Sequence, residues 1–352
     1  MIDKNKPILV TGANGYVASW LVKKLLDEGL TVHAAVRNPK DESKVGHLVN
    51  LVKDTVGELK LFSADLLKAG SYKEAMQGCE LVYHTASPFF TEVKNPVTEL
   101  IEPAVNGTEN VLLSAKEVES VKRVVVTSSC AAIYTDAIDT INAPGGRITE
   151  EIWNTTASLK YQPYSLSKTL AEKKAWEISQ TQDKWDLVTL NMSLVMGPPL
   201  NPKANCESSN ILIMLGGGKM KMGVPKMGIG IVDVRDVAET HFRAGFYKNA
   251  NGRYITFGHE TDFLELGLVL GQKYSHNYLL PKKALPKWLL MLVGPFVHSL
   301  FSRKFIRNNI NVAWRADNSK VKKDLDMTFR PLKETMEDAF QQMIDAGIIK
   351  AK

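Results

Sequence analysis

Tyr164 and Lys168 bound the segment Tyr164-Ser165-Leu166-Ser167-Lys168, and a spacing of four puts both on one face of a helix. The pair has a chemical use. A free phenol is a reluctant acid at neutral pH. A lysine ammonium about 4 Å away favours the phenolate by roughly 4 kcal/mol at an effective dielectric of about 20, before desolvation offsets part of that. Tyrosine and lysine also fall at this spacing by chance, so the weight of the pair comes from its surroundings. Thirty-five residues upstream the run RVVVTSS ends in Thr127-Ser128-Ser129. Ser129 is able to donate a hydrogen bond to a carbonyl oxygen that becomes negative under attack. A serine at a strand end serves equally well as an ordinary helix cap or turn.

A second constellation lies near the start. The run ILV leads into Thr11-Gly12-Ala13-Asn14-Gly15-Tyr16-Val17-Ala18, and a helical pattern begins at once. Gly12 and Gly15 let the backbone turn tightly and approach a pyrophosphate, whose charge the free N–H groups of the helix start stabilise. Ala18 stands where a third glycine is common and is small enough for close packing. Dinucleotide sites that prefer NAD place a carboxylate about 20 residues further on to bind the ribose 2′-OH. Here those positions read Ala34-Ala35-Val36-Arg37, with no carboxylate among them. Arg37 is therefore expected to clamp a 2′-phosphate, with Lys44 adding a second charge, so that NADPH is preferred over NADH. Asp65, after the third strand, either holds the adenine amino group or caps a helix.

Short β-rich runs position these residues: ILVTG, TVHAAV, LKLF, LVYHTA, RVVVTSS and LVTLNM alternate with helical patterns. Val17, Leu21, Val22, Leu25 and Leu26 recur at helical spacing, and Gly29 follows where that helix stops. The expected fold is α/β: a doubly wound parallel Rossmann-type sheet with its ligand crevice at the strands' carboxyl ends, and a smaller, mostly C-terminal substrate lobe. Residues 1–195 are expected to form the dinucleotide-binding domain and 196–352 mainly the substrate lobe, with 230–260 returning to the first. Gly197 to Gly230 reads as loop with one short helix. Asp317 is placed to cap a helix carrying Val321 and Leu325, and a last helix runs from Leu332 to Ala346 before Gly347.

Composition excludes other classes. The 352 residues are 44% hydrophobic and 23% charged, a globular balance. Net charge is +6 without a block of basic residues, which argues against a nucleic-acid partner. Cys79, Cys130 and Cys206 form neither a CxxC nor an even set, which suggests a reducing cytoplasm. The seven histidines show no HExxH spacing, Gly-x-Ser-x-Gly is absent, and no metal is expected.

The glycine loop, Ser129, Tyr164 and Lys168, in this order, are jointly specific. The chain resembles the extended short-chain dehydrogenase/reductases, most of all the dihydroflavonol and cinnamoyl-CoA reductases and related microbial aldehyde and ketone reductases. The likeness rests on TGANGYVASWLV, VRNP, ADL, YHTASP, PAVNGTENVL, VVVTSS, YSLSKTLAEKKAW and IVDVRDVA. It implies that Ser129 polarises a carbonyl, Tyr164 protonates it, Lys168 also binds the nicotinamide ribose, and Asn106 orients the lysine through water. It also implies that Leu66, Thr85, Ala86, Ser87 and Thr127 line the cofactor, with Met192, Ser193 and Val195 at the nicotinamide. Two departures stand out. Leu190 to Val195 lacks the proline of many relatives, and Tyr134 stands where flavonoid reductases carry asparagine, which argues against a flavonoid. Pro88 and Phe89, with Tyr134, are candidate walls of an apolar substrate pocket.

The expected activity is NADPH-dependent reduction of an aldehyde or ketone by a monomer or homodimer. A nucleotide-sugar epimerase or dehydratase and a nonenzymatic NADPH-binding protein are the alternatives. The chain reads LVMGPP and GIGIVDV where epimerases carry other segments, and the Tyr/Lys pair speaks against a bare sensor. Finally, Trp288 to Ser302 is uncharged but shorter than the roughly 20 apolar residues of a membrane span. Its apolar residues recur at spacings of three and four around Gly294-Pro295, so a bent stripe packed on a curved domain surface is expected, without stable membrane association.

Overall fold

The computed structural model describes residues 2–87, 93–202, 206–297 and 301–351. In chain order its strands are β1 (Ile8–Thr11), β2 (Thr31–Val36), β3 (Glu58–Ser63), β4 (Leu81–His84), β5 (Arg123–Ser129), β6 (Asp186–Met192), β7 (Leu194–Met196), β8 (Gly228–Asp233), β9 (Gly252–Thr256) and β10 (His259–Asp262). The main sheet has seven strands in the order β3-β2-β1-β4-β5-β6-β9. All its pairings are parallel. This is the doubly wound Rossmann-type sheet expected from the alternating runs. β1 and β4 are buried at every position, as strands covered on both faces must be. They pair with each other although β2 and β3 intervene in the chain, so the winding reverses between them and opens a crevice.

The helix Tyr16–Asp27 follows from its pattern: Ala18, Leu21, Val22, Leu25 and Leu26 are buried. Gly29, at φ +75°, ends it in a conformation that a side chain would strain.

β7, β8 and β10 make a separate three-stranded sheet, so the expected boundary at residue 195 falls inside β7. Of the stretch 230–260, the helix Val234–Phe246 packs on the Tyr16–Asp27 helix and β9 extends the main sheet, whereas β8 belongs to the small one. The second lobe has its own core of Met196, Leu212, Leu215, Leu266, Leu270 and Phe340. Among the described residues between Gly197 and Gly230 lies one helix, Glu207–Gly216. Asp317 accepts the Ser319 N–H at 2.8 Å at the start of the helix Ser319–Asp324, and the last helix spans Leu332–Asp345.

The Trp288 segment departs from expectation. Residues Lys287–Val297 are helical with Pro295 inside, but Gly294 alone is buried there. Trp288 is 70% exposed, Leu292 61% and Phe296 85%. The stripe faces solvent because the helix seats through Gly294, about 200° round from Leu292 and Phe296. Among the described residues no helix is long and apolar enough to cross a membrane.

Candidate active site

The crevice between β1 and β4 holds a cleft of about 750 Å³ lined by Gly12, Asn14, Gly15, Arg37, Lys44 and Asp65. Leu66, Thr85, Ala86 and Ser87 line it too. Gly12, at φ +59°, passes so close to the β4 end that a Cβ would stand 2.9 Å from Ala86 Cα. Only glycine lets the two backbones form this floor. Thr11 ties them: its Oγ1 accepts the N–H groups of Thr85 at 3.2 Å and Ala86 at 3.1 Å. It also contacts His84 Nδ1 at 3.0 Å. Burial, reinforced by the Lys168 charge, pushes the His84 imidazole down to about 3. The ring is therefore neutral, and its Nδ1 shares one hydrogen bond with the Thr11 hydroxyl. Gly15 precedes the helix without a side-chain cap, leaving first-turn N–H groups available to an anion. The glycine floor, the helix start and the basic groups at the far end suit a dinucleotide.

Tyr16 and Val17 lie on that first turn, but the Tyr16 hydroxyl turns away to donate to Gly197 O at 2.9 Å. Trp20 Nε1 donates to Pro198 O at 2.7 Å, so the first helix clamps the start of the Gly197 loop. At the far end of the cleft Arg37 is 85% exposed and its Nε stands 3.9 Å from Asp65 Oδ2. Asp65 also caps its own turn, accepting the Leu67 N–H at 2.9 Å. One carboxylate escaped the sequence reading: Asp41 lines the cleft, 3.8 Å from Lys44. The Ser43 hydroxyl, assisted by Lys44, holds its carboxyl below the usual range. It lies only four residues past Arg37, outside the positions where a ribose-binding acid was sought.

The candidate catalytic residues sit on regular elements. The helix Pro163–Ser179 packs against the short turn Cys130–Ala132 that follows Ser129. Ser129 Oγ accepts the Ala131 N–H at 3.1 Å, so the capping role is real and the hydroxyl proton stays free to donate elsewhere. Tyr164, in the helix's first turn, is 47% exposed. Lys168 Nζ lies 5.6 Å from the Tyr164 ring centroid and donates to Ser87 Oγ at 2.7 Å, bridging the helix to the β4 end.

Beneath them lies a network that sequence reasoning missed. Glu172, buried one turn beyond Lys168, accepts from Arg253 Nε at 2.7 Å, Asn191 Nδ2 at 2.6 Å, Ser128 Oγ at 2.5 Å and Thr189 Oγ1 at 3.1 Å. It pins the helix to β5, β6 and β9. The continued spacing 164, 168, 172 was its only signal.

Several expected contacts are placed differently. Asn106 is exposed on the helix Glu102–Glu117, whereas Ala104 and Thr108 line the recess beside Lys168. Residue 106 is about 200° from 104 on a helix, so Asn106 is turned from the lysine. Thr127 lines the recess beside Lys168, with its hydroxyl bonded to His241 Nε2 at 2.7 Å. Burial pushes His241 down to about 4. Tyr134 packs edge-on against Trp314, with centroids 6.1 Å apart, and lines a separate recess with Ile148, Ile152 and Trp153. Met192 is buried, the Ser193 hydroxyl is buried without a partner, and the Val195 carbonyl accepts from Ser208 Oγ. Pro88 and Phe89 lie outside the described residues.

A family model described as "NAD dependent epimerase/dehydratase family" matches residues 8–251. The chain belongs to this family. Its curated relatives include the cinnamoyl-CoA reductase CAD2 of Medicago truncatula, 41% identical over 281 residues, covering 78% of this chain and 83% of that protein. Tetraketide alpha-pyrone reductase 1 of Arabidopsis thaliana is 35% identical over 345 residues, covering 97% and 96%. Among solved structures, yeast methylglyoxal/isovaleraldehyde reductase complexed with NADPH matches with a TM-score of 0.76 and 28% identity, over 97% of this chain and all of that one. These relatives place the chain with the reductases of the extended short-chain dehydrogenase/reductase family, which use a nicotinamide cofactor.

Proposed function

We propose that this chain reduces an aldehyde or ketone to an alcohol with NADPH as the preferred cofactor. The observation that carries the reading is the gathering of a Tyr/Lys helix and a strand-end serine beside a glycine-floored cleft with Arg37 and Lys44 at its far end. Bound in that cleft, NADPH supplies the hydride. Gly12, Gly15 and the first-turn N–H groups would hold the pyrophosphate, and Arg37 with Lys44 the 2′-phosphate. Asp41 and Asp65 each neutralise part of that basic charge, so the preference rests on a balance rather than on Arg37 alone.

Ser129 donates a hydrogen bond to the carbonyl oxygen as negative charge develops there, keeping its own proton. Tyr164, exposed enough to reach a bound molecule, delivers its phenolic proton to the same oxygen. The Lys168 ammonium stabilises the phenolate left behind and is positioned to take ribose hydroxyls in place of Ser87. Neutral His84 adds no competing positive charge beneath it. The free cysteines, of which Cys79 and Cys130 are buried, suit a reducing cytosol.

The named relatives act on a cinnamoyl thioester, a pyrone and small aldehydes, so apolar or aromatic carbonyls are the substrate class to try first. The test is a screen for NADPH oxidation across aromatic aldehydes, aliphatic ketones, flavonoids, CoA thioesters and nucleotide sugars. Turnover of simple aldehydes or ketones supports the reading. Conversion of nucleotide sugars alone, without net NADPH consumption, would replace it with an epimerase.

A further inference from the structure

The Lys287–Val297 helix has no function in the chemistry above, yet it is the most apolar helix surface left uncovered. Ten consecutive uncharged residues, Trp288 to Val297, occupy it, and Trp288, Leu292 and Phe296 repeat every fourth residue on one outward face. Val293 and Val297 widen that face and are exposed as well. The helix is held from behind. Gly294 meets Phe301 and Ile306, and Lys287 Nζ donates to Arg307 O at 2.9 Å and Ile310 O at 2.7 Å, closing a hairpin with the helix Arg303–Asn309. The apolar face is thus a fixed feature rather than a frayed end.

Along this part of the chain the charge has one sign, and the aspartate that meets the hairpin, Asp136, is buried against Asn308 and Asn309. From Leu266 to Ala316 the chain contains no aspartate or glutamate and eight lysines and arginines. Lys282, Lys283, Arg303, Lys304 and Arg307 flank the apolar face and are exposed. Arg315 pairs with Glu260, but none of these five has an ion pair among the described residues. Soluble surfaces rarely carry a large apolar stripe, and a basic rim selects an anionic partner.

We propose that this hairpin docks the protein onto an anionic lipid bilayer, with Trp288, Leu292 and Phe296 entering the interface and the basic residues meeting the headgroups. At about 1.5 Å per residue the helix is only about 16 Å long, roughly half a hydrocarbon core, so it lies in the interface and does not span it. A tryptophan at its start suits that depth. A second copy of the chain fits less well, because a twofold contact would set this acid-free basic stretch against itself. The hairpin borders the loop that enters the catalytic helix, with Lys304 Nζ 3.8 Å from the Tyr161 ring centroid. The docking inference does not depend on the catalytic reading.

The test is flotation of the full-length protein with vesicles of phosphatidylcholine alone or with about a third phosphatidylserine, at low and physiological salt. The protein is expected to rise with the anionic vesicles about tenfold more than with neutral ones, and less so as salt increases. Trp288→Glu/Phe296→Glu should cut that binding about tenfold or more, and Lys282→Glu/Lys283→Glu should remove most of the preference for anionic lipid. Both variants change exposed side chains, and unchanged melting and NADPH binding would show that they fold. Failure of the native protein to float with either vesicle overturns the proposal, as does binding that Trp288→Glu/Phe296→Glu leaves intact. A dimer seen by light scattering, lost in that variant and unaccompanied by vesicle binding, would assign the surface to a second copy instead.

Discussion

At the Tyr164 end of the cleft, Glu172 is buried with four partners and fixes the Tyr164 helix to the sheet. At the Arg37 end, the guanidinium projects into solvent and its nearest carboxylate contact is 3.9 Å long. Beneath the exposed Tyr164 the first region is dry, with Glu172 buried and His84 and His241 held neutral by burial. The second is wet, and screening keeps its charge pairs weak. The contrast separates two jobs. The proposed proton delivery needs one geometry, which regular elements and a buried hydrogen-bonded network supply. Selection of a phosphate needs charge near a surface, which loops supply with little effect on folding.

The sharpest way to break this comparison is to remove one buried partner. Glu172→Ala should cost about 3–5 kcal/mol in unfolding by denaturant, because it leaves the Arg253 guanidinium buried without its carboxylate. Arg37→Ala should stay within about 0.5 kcal/mol of the native protein. Similar losses at both sites would show that the two ends are not built differently.

Acid should find the dry end next. His241 and His84 are held in the fold near 4 and 3, well below the ordinary histidine value of 6.5, so the unfolded chain takes up protons that the fold refuses. Their contribution is present above about pH 6.5 and lost as pH falls towards 4, by roughly 3 kcal/mol for His241. Melting temperature followed from pH 7 to 4.5 should drop accordingly, and His241→Gln should flatten the decline. A flat profile for the native chain would mean that water reaches these rings.

Activity sharpens the contrast further. Tyr164→Phe should lower kcat about 100-fold or more, equivalent to about 2.7 kcal/mol, while NADPH affinity measured by fluorescence titration barely changes. Lys168→Ala should damage both. Near-full turnover by Tyr164→Phe would move the proton donor elsewhere. The smallest effect belongs to the wet end. NADPH should be preferred over NADH about tenfold, about 1.4 kcal/mol, and Arg37→Ala should erase most of that. If the preference survives, Lys44 or a group outside the sequence expectation carries it.

The first six strands, the glycine turn and the Tyr164 helix were legible in the chain because they depend on local periodicity and on backbone conformations that few residues tolerate; β7 to β10 were not. Gly12 at φ +59° and Gly29 at φ +75° are of this kind. Spacing also placed Tyr164 and Lys168 on one face without further help. What spacing leaves open is which neighbour a face meets. Asn106 belongs to a motif of the family, yet helix rotation turns Ala104 and Thr108 to Lys168 instead. Nothing local distinguishes Glu172 from the other charged residues of its helix; its partner Arg253 comes some 80 positions later, on β9. Asp41 joined the cleft through the path of a loop that no pattern specifies.

The Trp288 stripe shows the same limit most plainly. Its period established that Trp288, Leu292 and Phe296 share a side of a helix, and its length excluded a span. Whether that side would be covered depended on how Gly294 seats on Ile306 and Phe301, a contact between two helices that only the tertiary structure decides. Amphipathicity is a property of one element, whereas burial is a property of two, and the chain alone describes the first.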